Sequence, residues 1–321
     1  MSRFPLAVLL AVLILALAAI VWIAWPDEAP SLQALSDTAS VRAQAPVPPR
    51  APPAPAHFIS EEGCAGCHAG IVAEWRGSHH DLAMQHASAG TVLADFNNVT
   101  LDYAGVRTRF FQRDAEFWVT TDGPDGSATD YRIDYSFGVE PLQQYLVSLP
   151  GGRLQALPFA WDTTAQRWFH LYPDMNVDHR DPLHWTGPAQ NWNFMCAECH
   201  STGLEKRYDF AADSYDSRWF QIDVGCQACH GPASRHRAAI EGGTGLEHAG
   251  FDLDLSADAT QQIETCARCH SRRSVVSDNY RHGDALLDHY LPALLDEGLY
   301  FADGQILDEV YVYGSFRQSR M

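Results

Sequence analysis

The chain has 321 residues, 46% of them hydrophobic, and carries 40 acidic against 22 basic side chains, a formal net charge of −18. That composition suits a folded protein, and its acidity argues against nucleic acid and anionic lipid surfaces as partners. Eight cysteines and 15 histidines are the unusual content.

The chain opens on an apolar run from Phe4 to Trp25, rich in Leu, Ala, Val and Ile. As a helix it spans about 33 Å, enough for a hydrocarbon core of about 30 Å. It is longer than the apolar region of a signal peptide, and no small-residue cleavage site follows closely; Ala43-Gln44-Ala45 lies far from it. An uncleaved transmembrane anchor over residues 1–25 is therefore expected, with a cleaved signal as the alternative. Arg3 precedes the run and Asp27 and Glu28 follow it, which keeps the N-terminus in the cytoplasm and exports the rest.

Residues 26–56 are rich in Pro and Ala, with Pro46, Pro48, Pro49, Pro52, Pro53 and Pro55 clustered at the end. This composition describes a semi-rigid linker. A first segment, 57–95, contains Cys64-Ala-Gly-Cys67-His68. Residues 96–175 read as a β-rich insertion. Arg107–Phe111, Phe117–Thr120 and Tyr131–Tyr135 are aromatic, β-branched and partly alternating, and Asp122-Gly123 and Asp125-Gly126 mark a tight turn between two of them. Residues 176–321 then hold three more copies of the first pattern: Cys196-Ala-Glu-Cys199-His200, Cys226-Gln-Ala-Cys229-His230 and Cys266-Ala-Arg-Cys269-His270.

These four copies use all eight cysteines. Two thiols three positions apart can form thioethers to the two vinyl groups of one haem, and the adjacent histidine then becomes the proximal iron ligand. Zinc sites would not require His directly after the second Cys four times, and a disulfide framework would not repeat one spacing so strictly. Four covalent haems c are expected. So little polypeptide separates motifs two, three and four that the haems must supply much of the apolar interior there, with little regular structure around them. The expected class is α+β: a multihaem cytochrome c with a β-rich insertion and an N-terminal transmembrane helix.

Eleven histidines remain outside the motifs, whereas internal Met is scarce. This favours bis-His iron of low potential. Sequence position selects four as second iron ligands: His80 after motif one, His184 before motif two, His236 after motif three and His289 after motif four.

The run Cys226-Gln-Ala-Cys-His-Gly-Pro-Ala-Ser-Arg-His236 resembles the multihaem cytochromes c of the paired Cys-x-x-Cys-His class. So do Asp181–Gly187 running into Asn191–Thr202, the element Trp75-x-x-Ser78-His-His80, and Tyr135–Gly138 with Pro141–Tyr145. From about residue 57 onward the chain is similar to the haem-bearing part of tetratricopeptide-containing cytochrome c family proteins. It is more distantly similar to the tetrahaem cytochrome that takes electrons from hydroxylamine oxidoreductase. The resemblance implies bis-His haem c, electron transfer, and distal-ligand places at His80, His184 and His236. Similar proteins run on to a further haem motif and repeats beyond the position of Met321, so this chain reads as either a fragment or a version that stands alone.

The expected function is an exported, membrane-anchored tetrahaem cytochrome c on the periplasmic side of a bacterial cytoplasmic membrane. It would relay electrons in a respiratory chain, with a quinol-oxidising membrane complex or other cytochromes as redox partners. The alternatives are a multihaem oxidoreductase acting on a nitrogen or sulfur compound at an open iron, and the haem module of a larger scaffold.

Overall fold

The computed structural model describes residues 55–245, 247–256 and 258–320. The expected anchor and nearly all of the linker lie outside the described residues. Among the described residues, no helix is long and apolar enough to cross a membrane.

An α-helix, α1 (Glu62–Trp75), opens the described chain and carries the first motif. An antiparallel sheet follows. Strand β1 (Met84–His86) pairs with the end of β5, and seven strands run as a meander: β2 (Val99–Tyr103), β3 (Val106–Arg113), β4 (Glu116–Asp122), β5 (Ala128–Phe137), β6 (Leu142–Leu149), β7 (Arg153–Asp162) and β8 (Arg167–His170). The alternation in β4 buries Phe117, Val119 and Thr121 on one face. The expected turn joins β4 to β5: the Gly123 N–H donates to the Ser127 carbonyl (2.9 Å), and Gly126 sits at φ +79°, a left-handed conformation that glycine adopts without a side-chain clash.

The sheet curls until its two ends approach, giving a barrel-like shape. Tyr103 at the end of β2 stacks on His170 at the end of β8, with ring centroids 3.6 Å apart, although the two strands are not hydrogen-bonded neighbours. Inside lies an aromatic core in which Phe96, Phe110, Tyr145 and Trp168 meet; Phe110 and Trp168 stack at 3.7 Å.

The rest of the chain forms short helices and ribbons. The helices are α2 (Trp192–Met195), α3 (Ala197–His200), α4 (Cys226–His230), α5 (Ser234–Glu241), α6 (Ala259–His270), α7 (Leu286–His289) and α8 (Tyr313–Gln318). Two small antiparallel ribbons join them, β9 (Tyr208–Asp209) with β10 (Ser214–Tyr215) and β11 (Arg273–Val275) with β12 (Tyr290–Pro292). A second core cluster, including Met84, Phe137, Leu146 and Trp192, joins the sheet to motif two. Around motif four the fully buried apolar cluster is only Ala267, Leu286 and Tyr290.

Candidate haem-binding site

Each Cys-x-x-Cys-His motif lies on or beside one turn of helix. Motif one is inside α1, and the backbone leaves helical geometry at His68 (φ −114°, ψ 35°). Motif two begins at Cys196, between α2 and α3, and ends α3. Motif three is α4 itself, and motif four ends α6. On a helical turn, residues i, i+3 and i+4 share a face, so this spacing presents two thiols and one imidazole to the same side. None of the eight cysteines is paired in a disulfide. Among the described residues, no group of three or more His, Cys, Asp or Glu is clustered to hold a metal ion by itself.

The residues between the cysteines tie the motifs together in the spatial order one, three, four, two. Gln227 of motif three clasps the extended segment at Ile59 that leads into motif one. Its Nε2 donates to the Ile59 carbonyl (2.6 Å), while its Oε1 accepts from the Ile59 N–H (3.0 Å) and the Ala233 N–H (3.0 Å). Glu61 accepts from the Cys226 N–H at 3.2 Å. Arg268 of motif four donates to the Ala228 carbonyl of motif three at 2.9 Å. Glu198 of motif two takes an ion pair from Arg273 at 3.1 Å and a hydrogen bond from the Tyr290 hydroxyl. Arg273 also lies over the Tyr290 ring at 4.0 Å. Interaction between the neighbouring Cys199 and Cys269 thiols holds Cys269 below the ordinary thiol range and raises Cys199. Burial pushes Cys196 up to about 12.

Two pairs of histidine rings come together from distant parts of the chain, the first with its planes 28° apart and the second edge-on at 74°. His68 of motif one and His236 at the start of α5 have centroids 6.2 Å apart. His270 of motif four and His80 have centroids 6.1 Å apart. An iron held between two imidazole nitrogens at about 2 Å each separates the ring centroids by about 6 Å. The residues present therefore fit haem c on two counts, the motif geometry and the ring spacing. His236 Nδ1 hydrogen-bonds with the Ala249 carbonyl (2.8 Å), and His200 Nδ1 with the Ala83 carbonyl (3.2 Å). Such bonds fix the tautomer and leave Nε2 for a metal. Burial lowers the pKa of His80, His200 and His230, with neighbouring His270 and His79 adding to the effect on His80, and His236 and His68 on His230. The neutral, ligating imidazole is thereby favoured.

The structure takes the other two selected histidines elsewhere. His184 is buried against the sheet with both ring nitrogens engaged, Nδ1 with Thr186 (2.8 Å) and Nε2 with Asp122 (3.1 Å). His289 pairs Nε2 with Asp284 at 3.1 Å, and its buried Nδ1 has no hydrogen-bond partner. No other pair of histidine rings reaches the 6 Å arrangement among the described residues. The two pairs also cross the order of the chain: His80 follows motif one yet faces motif four, and His236 follows motif three yet faces motif one. Sequence reading missed this crossing and the clasps made by Gln227, Arg268 and Glu198. Polar residues at positions where a cysteine spacer needs none were the available signal.

Asp223, three residues before motif three, has a buried Oδ1 with no partner. Burial, and then the charges of Glu61 and Asp81, push its carboxyl up to about 6. The folded state thus holds a proton more tightly than the unfolded chain, whose carboxyl titrates near 4. Stability from this group is present below about pH 4 and is lost as pH rises to about 6. Asp223→Asn should abolish that loss, gaining about 1 kcal/mol above pH 6 after discounting for partial exposure and nothing below pH 4. Urea unfolding across this range reads the difference; an unchanged slope would mean that Asp223 is unperturbed.

A family described as cytochrome c554 and c-prime matches residues 165–231, a span that holds motifs two and three. No curated protein matches the chain. The fold is similar to the crystal structure of the outer cell wall cytochrome OcwA, with 18% identity and a TM-score of 0.53 over 77% of this chain and 48% of that one. The undecahaem cytochrome from the S-layer of Carboxydothermus ferrireducens aligns at 18% identity and a TM-score of 0.39, over 72% of this chain and 30% of that one. The chain thus spans just under half the length of the first of these structures and under a third of the second. The family match falls on the span that holds motifs two and three, and the fold is shared with a cytochrome.

Proposed function

We propose that the chain is a tetrahaem cytochrome c, with haem attached at Cys64/Cys67, Cys196/Cys199, Cys226/Cys229 and Cys266/Cys269. His68, His200, His230 and His270 would be the proximal ligands. His236 would complete the axial pair with His68, and His80 the pair with His270. Bound at these sites, haem c supplies a one-electron ferrous–ferric couple. The observation that carries this reading is the pair of histidine separations, 6.2 and 6.1 Å, each ending on a motif histidine. The chain's own residues hold the motifs in a fixed order, and burial favours the neutral imidazole at His80, His200 and His230. The biological role is relay between a quinol-oxidising membrane complex, or another cytochrome, and a further acceptor. The run 4–25 anchors the protein on the periplasmic face of the cytoplasmic membrane.

One observation favours a second reading, in which a small molecule reacts at an open iron. His200 and His230 have no partner histidine ring among the described residues; the ring beside His200 is Phe137, edge-on at 5.6 Å. The pyridine haemochrome spectrum and a reductive titration separate the proposals. Four haems per chain, taking up four electrons without turnover of nitrite or hydroxylamine, is the carrier result. Fewer haems would overturn the tetrahaem assignment, and turnover would favour the second reading.

A further inference from the structure

A cavity of about 320 Å³ lies where Tyr103 and His170 meet. It is lined mainly by apolar and aromatic side chains, among them Tyr103, Phe159, Tyr172 and Trp185, and by no Lys or Arg. Its size is at the small end for ligand sites. Its one carboxylate, Asp122, is already hydrogen-bonded to His184, and no Lys or Arg in the lining offers a phosphate a counter-charge.

Of the polar side chains in the lining, Tyr103 and Gln190 are already hydrogen-bonded to Tyr172, and His170 offers a fixed N–H donor. His170 stacks on Tyr103 and meets Phe159 edge-on at 5.0 Å. Its Nδ1 accepts from the Tyr172 N–H at 3.0 Å, so in the neutral ring the proton sits on Nε2. That nitrogen has no hydrogen-bond partner among the described residues. Burial lowers the ring's pKa and keeps it neutral. The site therefore offers aromatic walls and an N–H donor on a stacked, fixed ring.

We propose that this cavity binds a small planar quinone, its ring packed among the aromatic side chains and one carbonyl oxygen accepting from His170 Nε2. Gln190 in the lining is six residues from Cys196, so a bound quinone would sit within about 21 Å of motif two along the chain. The inference does not depend on the axial ligands proposed above.

The test is calorimetric titration of the oxidised, full-length holoprotein with 1,4-naphthoquinone and, separately, naphthalene. The quinone should bind one to one. His170→Phe keeps the stacked ring but removes the donor, and should weaken the quinone about 3- to 10-fold while leaving naphthalene unchanged. Ala189→Phe and Leu183→Trp fill the cavity from two positions in its lining, and either should weaken the quinone by more than about tenfold. The absence of quinone binding to the wild type would overturn the proposal. So would unchanged binding in both filling variants, which would place the ligand elsewhere. Equal quinone affinity in His170→Phe would overturn the carbonyl contact.

Discussion

Replacing His236 with Met is expected to raise the potential of one haem and leave the others close to their original values. His80→Met should do the same for a different haem. Thioether sulfur stabilises ferrous iron relative to imidazole, and axial ligands span about 0.8 V, so a shift on the order of 100 mV is expected for each. Neither residue is adjacent in sequence to the motif it faces, so such a selective shift has no explanation in local unfolding. His184→Met and His289→Met provide the contrast. Their rings are committed to Asp122 with Thr186 and to Asp284, and they should leave all the potentials in place. A spectropotentiometric titration of the four variants reads this directly. Equal effects from all four would remove the distinction drawn from the ring geometry.

The second large effect concerns folding without haem. The sheet has a core of its own, in which Phe110, Val119, Tyr145 and Leu157 are fully buried. Among the described residues the apolar cluster at motif four is small, built on Ala267, Leu286 and Tyr290, and the segment leaves Leu287, Leu291 and Leu294 exposed by 67%, 64% and 76%. Covalent haem would supply the missing interior. A variant with all eight cysteines changed to Ser should therefore keep residues 84–170 folded and lose order from about residue 196 onward. Limited proteolysis should leave a resistant fragment containing the sheet, while hydrogen exchange in the C-terminal third becomes fast. Uniform protection along the chain would show that the motif region folds on polypeptide contacts alone.

The legible parts of the molecule are those set by short-range physics. Cys-x-x-Cys-His can be read because its spacing matches one helical turn. Strands β3, β4 and β5 can be read because Arg107–Phe111, Phe117–Thr120 and Tyr131–Tyr135 alternate with the period of a pleat. The turn at Asp122–Gly126 can be read because glycine tolerates a positive φ. The pairing of histidine rings was not legible, since His68 meets His236 and His80 meets His270 through long-range contacts between chain segments far apart in sequence. Nearness in sequence selected His80 and His236 without identifying the motifs they face. It also selected His184 and His289, whose neighbours in space are carboxylates. The closing approach of Tyr103 and His170 was equally hidden, because barrel curvature arises from accumulated strand twist rather than from any one residue.

Low-temperature electron paramagnetic resonance of the oxidised wild type beside His80→Ala and His236→Ala tests the paired-histidine assignment most directly. The wild type should show low-spin bis-His signals, and each variant should convert one of them, a different one in each, to a high-spin signal that added imidazole reverses. Variants with the wild-type spectrum would contradict the assignment, and the second iron ligands would have to be sought elsewhere in the chain.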